Sequence, residues 1–384
     1  MLNNTSQIRN REYQQCSFCI MDTTDPDIDF DSEGICNHCR KYSRLENEKV
    51  VKGEKGQQKI KEIIQEIKKV SKGRKYDCII GISGGVDSTF LAYYVKEKMG
   101  LNPLAVHFDN GWNSEIAVQN IHNLVSKLNI DLYTYVIDWD SFKDIQLAYF
   151  KASVVDIEVP TDQFIFAALF EVARKNKIKN VISGNNVVTE CILPDSWYFR
   201  YKFDLKNLKD IHKKYGTKKV KSLPNIGKWQ RLVNKKFFNL KYFNVLNFVD
   251  YNYKDVKELI IRDLGWKDYG GKHFESIFTR FYQGYILPKK FNIDKRKAHL
   301  SNLICSGQMT KEEALLDLSK NPYTEELQQQ DKDYFIKKLG LSDVEFEEIM
   351  SRPIKKHEEF ELEESIYKTY PFLKLLQPIG NRLK

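Results

Sequence analysis

The sequence predicts an α/β protein: a doubly wound, mostly parallel sheet with a four-cysteine ribbon ahead of it and a helical part behind. Three observations predict this class. From Tyr76 onward, short apolar runs alternate with amphipathic helical patterns, as a parallel sheet covered on both faces requires. The first run, Cys78-Ile79-Ile80-Gly81-Ile82, passes through Ser83-Gly84-Gly85-Val86-Asp87-Ser88 into a helical pattern, and open α/β sheets gather ligands at such strand ends. Upstream, the pairs Cys16/Cys19 and Cys36/Cys39 are separated by sixteen residues.

The cysteine pairs come first along the chain. Each CxxC turn sets two sulfurs on one side, and two such knuckles complete a tetrahedron, the pattern of a structural Zn²⁺ held by Cys16, Cys19, Cys36 and Cys39. An iron–sulfur cluster or an unmetallated redox pair would use the same spacing. His38, inside the second pair, reads as a supporting residue. Seven cysteines with two tight pairs point to a reducing compartment rather than to disulfides. Residues 1–45 form this module and 46–75 a helical linker, in which Ile60, Ile63, Ile64 and Ile67 recur at helical spacing. The sheet domain spans 76–310 and is interrupted by a basic, aromatic insertion at 195–243. Within it, strands are predicted at 77–82, 103–109, 131–137 and 179–184, with helices near 88–99, 115–128 and 163–176. Residues 311–384 are a helical C-terminal region, and from 320 onward they carry no chemistry that the sequence shows.

The loop after the first strand has the chemistry of an anion site. Two glycines let consecutive N–H groups point one way, and the helix N-terminus adds partial positive charge. Ser83 and Ser88 can donate to phosphate oxygens, and Asp87 can hold Mg²⁺. The lysine of a Walker A loop is absent. A plain Ser/Gly turn before a helix would share some of these residues. The full hexapeptide resembles the PP-loop of ATP pyrophosphatases, a fold of the adenine nucleotide α-hydrolase type, in which it grips the outer phosphates of ATP. That resemblance makes Ser83, Gly84, Gly85, Val86, Asp87 and Ser88 cofactor-binding residues. It also makes the backbone around His107 and Phe108, at the end of the second strand, a candidate adenine contact.

Two further segments resemble elements of the same superfamily. Ser183-Gly184-Asn185-Asn186-Val187-Val188-Thr189-Glu190 is similar to a segment of ammonia-dependent synthetases. There Gly184 would lie against the nucleotide and Glu190 would approach Mg²⁺; the competing reading is a helix N-terminus capped by Asn and Thr. Lys254, in Tyr253-Lys254-Asp255-Val256-Lys257-Glu258-Leu259, occupies the position of a lysine that reaches pyrophosphate, unless it is an ordinary exposed helical lysine.

Charge is unevenly placed. The chain is +9 overall, whereas 195–243 alone carries 14 Lys/Arg against 3 Asp, leaving the remainder slightly acidic. The basicity therefore belongs to one face or site. Its interleaved Trp197, Tyr198, Phe199, Tyr201, Phe203 and Trp229 suit nucleic acid, a nucleotide-sugar diphosphate or an acidic partner; a solvated helical insertion is the plain alternative. No apolar run approaches the ~20 residues of a membrane span, and the polar N-terminal stretch has no signal-peptide core, so a cytoplasmic location is expected.

The last blocks are the most specific. Asp268-Tyr269-Gly270-Gly271-Lys272-His273-Phe274-Glu275-Ser276, Phe281 to Pro288, and Phe291 to Gln308 join the cysteine quartet and the loop in resembling the N-acetyl sugar amidotransferases of the WbpG/PseA type. The resemblance covers residues 14 to 320. It implies that ATP adenylates the acetamido oxygen of a nucleotide-activated sugar, that ammonia replaces it to give an acetamidino group, and that AMP and pyrophosphate leave. The pathways concerned are those of bacterial surface polysaccharide, LPS O-antigen included, or nonulosonic acid. It implies ATP, Mg²⁺ and Zn²⁺ as cofactors, and separate HisH-like glutaminase and HisF-like barrel chains as the ammonia source. Residue 2 is Leu, so an N-terminal cysteine nucleophile is not expected in this chain. Lys272, His273 and Glu275 are the candidate acceptor-site catalysts, together with Asp87 and Lys254, and Arg280 and Arg296 could pair with an anionic sugar. The rivals are a PP-loop tRNA thiolase, which Cys191 would serve, and a non-enzymatic zinc-ribbon adaptor; nucleic acid is the less expected partner.

Overall fold

A computed structural model describes residues 12–220, 226–236 and 238–364. Most of the polar N-terminal stretch, the Trp229 side chain and residues 365–384 of the C-terminal region lie outside that description.

In chain order the elements are α1 (Asn37–Lys49), α2 (Gly53–Ser71), β1 (Cys78–Gly81), α3 (Val86–Tyr93), β2 (Pro103–Asp109), α4 (Glu115–Leu128), β3 (Asp131–Val136), α5 (Trp139–Ala152), α6 (Val159–Lys175), β4 (Asn180–Ile182) and α7 (Val187–Glu190). Then follow α8 (Leu205–Tyr215), α9 (Lys228–Lys236), β5 (Lys241–Phe243), α10 (Tyr253–Leu264), α11 (Ile277–Phe281), α12 (Arg296–Cys305), α13 (Lys311–Leu318), α14 (Glu325–Leu339) and α15 (Asp343–Ser351).

The strands form one parallel sheet in the order β3-β2-β1-β4-β5. β1 is central, and the winding reverses between β1 and β4, which is where a doubly wound sheet opens a crevice at its carboxyl edge. On one face Ile60, Ile63 and Ile67 of α2 pack with Phe90 and Leu91 of α3, Leu124 of α4 and Val256 and Ile260 of α10. On the other, Leu169, Val172 and Ala173 of α6 cover Ile79, Leu104 and Val106.

The four predicted strands are all present, and α4 coincides with its predicted span. Several elements had no predicted counterpart, α1, α11 and α12 among them, and two more lie in the run from β1 to β5. One is α5, which buries Phe142, Ile145 and Tyr149. The other is β5, which lies in the basic segment, so that 195–243 returns its last residues to the sheet edge beside β4. The aromatic residues of that segment also divide. Trp197 and Phe199 are buried in the core, whereas Tyr201 is exposed, so part of the interleaving is packing rather than a stacking surface.

A third core joins the cysteine module to the helical part, with Cys16, Cys19, Cys36 and Cys39 in the same cluster as Phe281, Ile286, Phe335 and Phe346. α12 clasps the module: Ser301 Oγ accepts from Ile20 N at 3.4 Å, Lys297 Nζ pairs with Asp22 at 2.5 Å, and nearby Lys311 donates to the Cys16 carbonyl at 2.5 Å. No helix among the described residues is long and apolar enough to cross a membrane.

Candidate active site

The Ser83–Ser88 loop leaves β1 and enters α3 directly. Gly84 has φ +82°, and a Cβ there would stand 2.7 Å from the Ala117 carbonyl oxygen, so both its backbone conformation and its neighbour require glycine. The Trp266 indole N–H donates to the Gly84 carbonyl at 2.8 Å. Ser83 and Ser88 hydroxyls lie 3.2 Å apart, and Ser83 Oγ also accepts from Gly85 N at 3.3 Å. A Cβ on Gly85 would crowd Glu275 Oε1, Ser83 Oγ and the Tyr269 hydroxyl at 3.1–3.3 Å, so these groups frame a small cradle over the loop.

Three charged groups from three elements meet beside that cradle. Lys272 Nζ lies 3.9 Å from Asp87 Oδ2 and 4.0 Å from Glu190 Oε1, and donates to the Thr189 carbonyl at 3.0 Å. The Tyr251 hydroxyl donates to Asp87 Oδ1. Burial raises the Glu190 carboxyl above its usual range, with the Asp87 charge adding to it and Lys272 opposing. Two carboxylates facing one cation are a donor set that suits Mg²⁺. Gly184 lies against the Asp87 backbone, where an added Cβ would stand 3.6 Å from the carbonyl oxygen.

Glu275 is held by backbone as well as side chain. Ser114 N donates to its carbonyl at 2.9 Å, which fastens the 268–276 loop to the β2–α4 connection. Its carboxylate accepts from Ser83 Oγ at 3.4 Å and faces His273 Nδ1 at 3.8 Å. Burial works against the charge, yet His273 and Tyr269 outweigh it and hold the carboxyl below its usual range. His273 adopts φ +65°, a left-handed conformation uncommon for a side-chain-bearing residue.

Beyond the loop lies a cavity of about 560 Å³, lined by Val86 and Thr189 on the sheet side. Lys257, Asp268, Lys272, Lys295, Arg296 and His299 provide much of its polar wall. Most of these charges are paired: Lys257 with Asp268 at 2.6 Å, Arg296 with Asp294 at 2.7 Å, Lys295 with Glu158 at 3.7 Å.

The structure thus brings together Ser83, Asp87, Glu190, Lys272, His273 and Glu275, with Arg296 on the far wall. Two sequence-derived candidates, Lys254 and Arg280, stand apart. Lys254 is exposed on α10 and does not line the cavity, whereas Lys257, one turn on, does. Arg280 is paired with Asp331 through two hydrogen bonds of 2.6 and 2.7 Å in a nearly buried pair and does not line the cavity. At the end of β2, the His107 Nδ1 donates to the Ile82 carbonyl at 3.2 Å while Phe108 packs on Tyr135 and Phe142, so their side chains brace the loop from beneath. Tyr251, Lys257, Trp266, Tyr269 and His299 were not singled out by sequence. Only the spacing of α10 gave a signal: its buried stripe of Val256, Ile260 and Leu264 leaves Lys257 about 100° and Lys254 about 200° from Val256.

The metal candidate is separate. The sulfurs of Cys16, Cys19, Cys36 and Cys39 all lie within 4.8 Å of one another and all four residues are buried. The closest separations are 3.6, 3.7 and 3.9 Å. Four sulfurs about 2.3 Å from a zinc ion would be about 3.8 Å apart, so the set fits tetrahedral Zn²⁺. His38, inside the second pair, bonds Asp25 at 2.7 Å through its Nε2. Cys305 Sγ of α12 lies 3.7 Å from Cys39 Sγ.

Comparison with known proteins divides the chain in two. Residues 57–186 match the NAD synthase family, and residues 275–374 match the C-terminal domain of WbpG-like LPS biosynthesis proteins. An uncharacterised protein of Methanocaldococcus jannaschii is 33% identical over 132 residues, covering 34% of this chain and 46% of its own length. The chain thus spans less than half of that relative. Among solved structures, an NH₃-dependent NAD synthetase from Campylobacter jejuni aligns with TM-score 0.30 and 16% identity over 75% of this chain and 97% of its own. An NMN synthetase from Francisella tularensis gives TM-score 0.26 and 17% identity over 53% and 87%.

Proposed function

We propose that the chain is a WbpG-type PP-loop, ATP-dependent amidotransferase whose acceptor is the acetamido group of a nucleotide-activated sugar. One observation carries this reading. The cavity that opens onto the phosphate loop at Val86 and Thr189 is walled largely by residues of the WbpG-like segment, Gln283, Lys295, Arg296 and His299 among them. ATP and a second, polar substrate can therefore meet at Lys272.

The chemistry follows from the groups present. An amide is a weak electrophile because its nitrogen lone pair is delocalised into the carbonyl. Attack of its oxygen on the α-phosphorus of ATP expels pyrophosphate and leaves an imidate ester of AMP. Ammonia then adds to the activated carbon, AMP departs with the electron pair of the C–O bond, and an acetamidino group remains. The loop N–H groups, Ser83, Ser88 and Lys272 stabilise charge on the departing pyrophosphate, being fixed in place before it forms. Asp87 and Glu190 would hold Mg²⁺, which supplies further positive charge at the phosphates. Residues of the 268–274 loop, α7, α10 and α12 wall the cavity, which limits the water that competes with ammonia. The cysteine quartet would hold Zn²⁺ in a structural role, since all four positions are protein sulfurs.

Ammonia comes, in this proposal, from a HisH-like glutaminase working with a HisF-like barrel. None of Cys78, Cys191 and Cys305 is paired with a histidine among the described residues, as a glutaminase nucleophile would be. The thiolase alternative needs a reactive thiolate near ATP. Burial pushes the Cys191 thiol up, away from that form.

The test is direct. Purified protein with ATP, Mg²⁺, ammonium and a diacetamido nucleotide sugar is expected to release AMP and pyrophosphate and to yield a product in which NH has replaced O, read by mass spectrometry. Ser83→Ala and Asp87→Ala are expected to abolish it. AMP release that depends on tRNA and is indifferent to the sugar would overturn the proposal.

A further inference from the structure

We infer that His299 is the general base of the amination step, taking a proton from the ammonia nitrogen as it bonds to the activated carbon. The inference rests on the acetamido reading above and adds to it the group that completes the second half-reaction.

α12 has two working sides. One side of this helix faces the cysteine module through Lys297, Ser301 and Cys305, and the other presents Arg296, His299, Leu300 and Leu303 to the cavity. His299 is half-buried in that wall. Most other histidines are committed: His38 to Asp25, His107 to the Ile82 carbonyl and Asn113, His212 to Asp144, His357 to Asn207, and His273 to Glu275. His122 is exposed on α4. Neither ring nitrogen of His299 has a protein hydrogen-bond partner among the described residues; its one ring neighbour is His273, at 5.4 Å between centroids.

The carboxylates around it are poorer bases. Asp268 is paired with Lys257 and Asp294 with Arg296, and Glu275 is turned to the phosphate loop and His273. An ionised carboxylate that is already ion-paired has little proton affinity left near neutral pH. His299 is held neutral instead. Burial comes first, and the neighbouring Lys272, His273 and Lys295 add to it. The lysine charges are ones that phosphate-bearing substrates would offset. Once ATP and an anionic acceptor are bound, the imidazole gains proton affinity at the moment it has to act.

The step balances. Ammonia adds its lone pair to the imidate carbon and becomes a cationic substituent; one of its N–H bonds breaks and the proton moves to the free imidazole nitrogen. The C–O bond to AMP then breaks, AMP leaves with that electron pair, and the amidinium remains. The imidazolium returns its proton to the departing phosphate.

Separating the half-reactions tests this. Acceptor-dependent exchange of labelled pyrophosphate into ATP, without ammonium, reads adenylation; amidino product formed with ammonium reads both steps. For His299→Asn the exchange is expected to stay within about twofold of wild type while amidino product falls by about 100-fold, the usual contribution of a general base. In His299→Ala, added imidazole is expected to restore product but not to alter exchange. Wild-type product formation by His299→Asn, or equal loss of exchange and product without imidazole rescue, would overturn the base. Absence of acceptor-dependent exchange in the wild-type enzyme would overturn the acetamido reading itself, and the base with it.

Discussion

The phosphate loop and the cavity beside it solve the same problem, recognition of a charged substrate, in opposite ways. The loop uses backbone: Gly84 at φ +82° and two serine hydroxyls, pinned by Trp266. The cavity uses long side chains that are already paired with each other, such as Lys257–Asp268 and Arg296–Asp294. A backbone cradle is ordered before its ligand arrives and costs little to fill. A wall of ion pairs has to exchange partners, so only a substrate that replaces each lost contact binds well.

Removing the metal is the largest test of this contrast. Zinc bound to four thiolates contributes on the order of 10 kcal/mol in small zinc modules. The four sulfurs share a core with α5, α12 and the C-terminal helices, and of the strands this core reaches only Phe108 at the end of β2 and, at its margin, Tyr135 of β3. Exhaustive chelation is therefore expected to abolish hydrogen-exchange protection in α12, α14 and α15 before it does so in β1 and β2. Simultaneous loss in both halves would erase the distinction.

Gly84→Ala attacks the other half. The added methyl meets the Ala117 carbonyl, so the loop has to move and its donors lose their aim. Acceptor-dependent AMP release is expected to fall about 1,000-fold, roughly 4 kcal/mol of transition-state stabilisation. The signal of bound zinc should not change.

Acid separates the halves again. His357 is buried and stacked on Phe199 at 4.3 Å, and burial pushes its pKa down to about 4. Between that value and the ordinary 6.5 the unfolded chain binds a proton that the folded chain refuses. Stability accordingly falls as pH drops through this window, by about 3 kcal/mol. His357→Phe keeps a ring on Phe199 but cannot be protonated, and its melting temperature is expected to vary less between these pH values. An unchanged slope would place the acid sensitivity elsewhere.

The smallest effect sharpens the cavity itself. Lys257→Ala is expected to raise the acceptor KM about tenfold, roughly 1.4 kcal/mol, and Lys254→Ala to change it less. The reverse order would return the role to Lys254.

These tests also mark what the sequence could say. Ser83–Ser88, Cys16–Cys39 and the four predicted strands were legible because each is a local pattern: a turn, a pair of knuckles, an apolar run. β5 was not, being Lys241-Tyr242-Phe243 in a lysine-rich stretch, with its pairing to β4 as its only strong mark. Lys254 was chosen over Lys257 by motif position, while the helical stripe of α10 decides which of them turns inward. His299 had no local signature at all. It faces a cavity assembled from α7, α10, the 268–274 loop and α12, and nothing within a few residues of it foretells that meeting.

The clasp between the cysteine module and α12 has a consequence for how the chain is made. Ile20 and Ser301, joined by a hydrogen bond, are 281 positions apart. The four sulfurs leave the ribosome early, and the helix on which they rest leaves it last but for the C-terminal region. Until then the quartet has no lid against solvent, and every thiol in it is open to oxidation or to the wrong ion. Translation order thus sets a window of vulnerability that closes only when α12 arrives, and slow synthesis of the intervening sheet prolongs it.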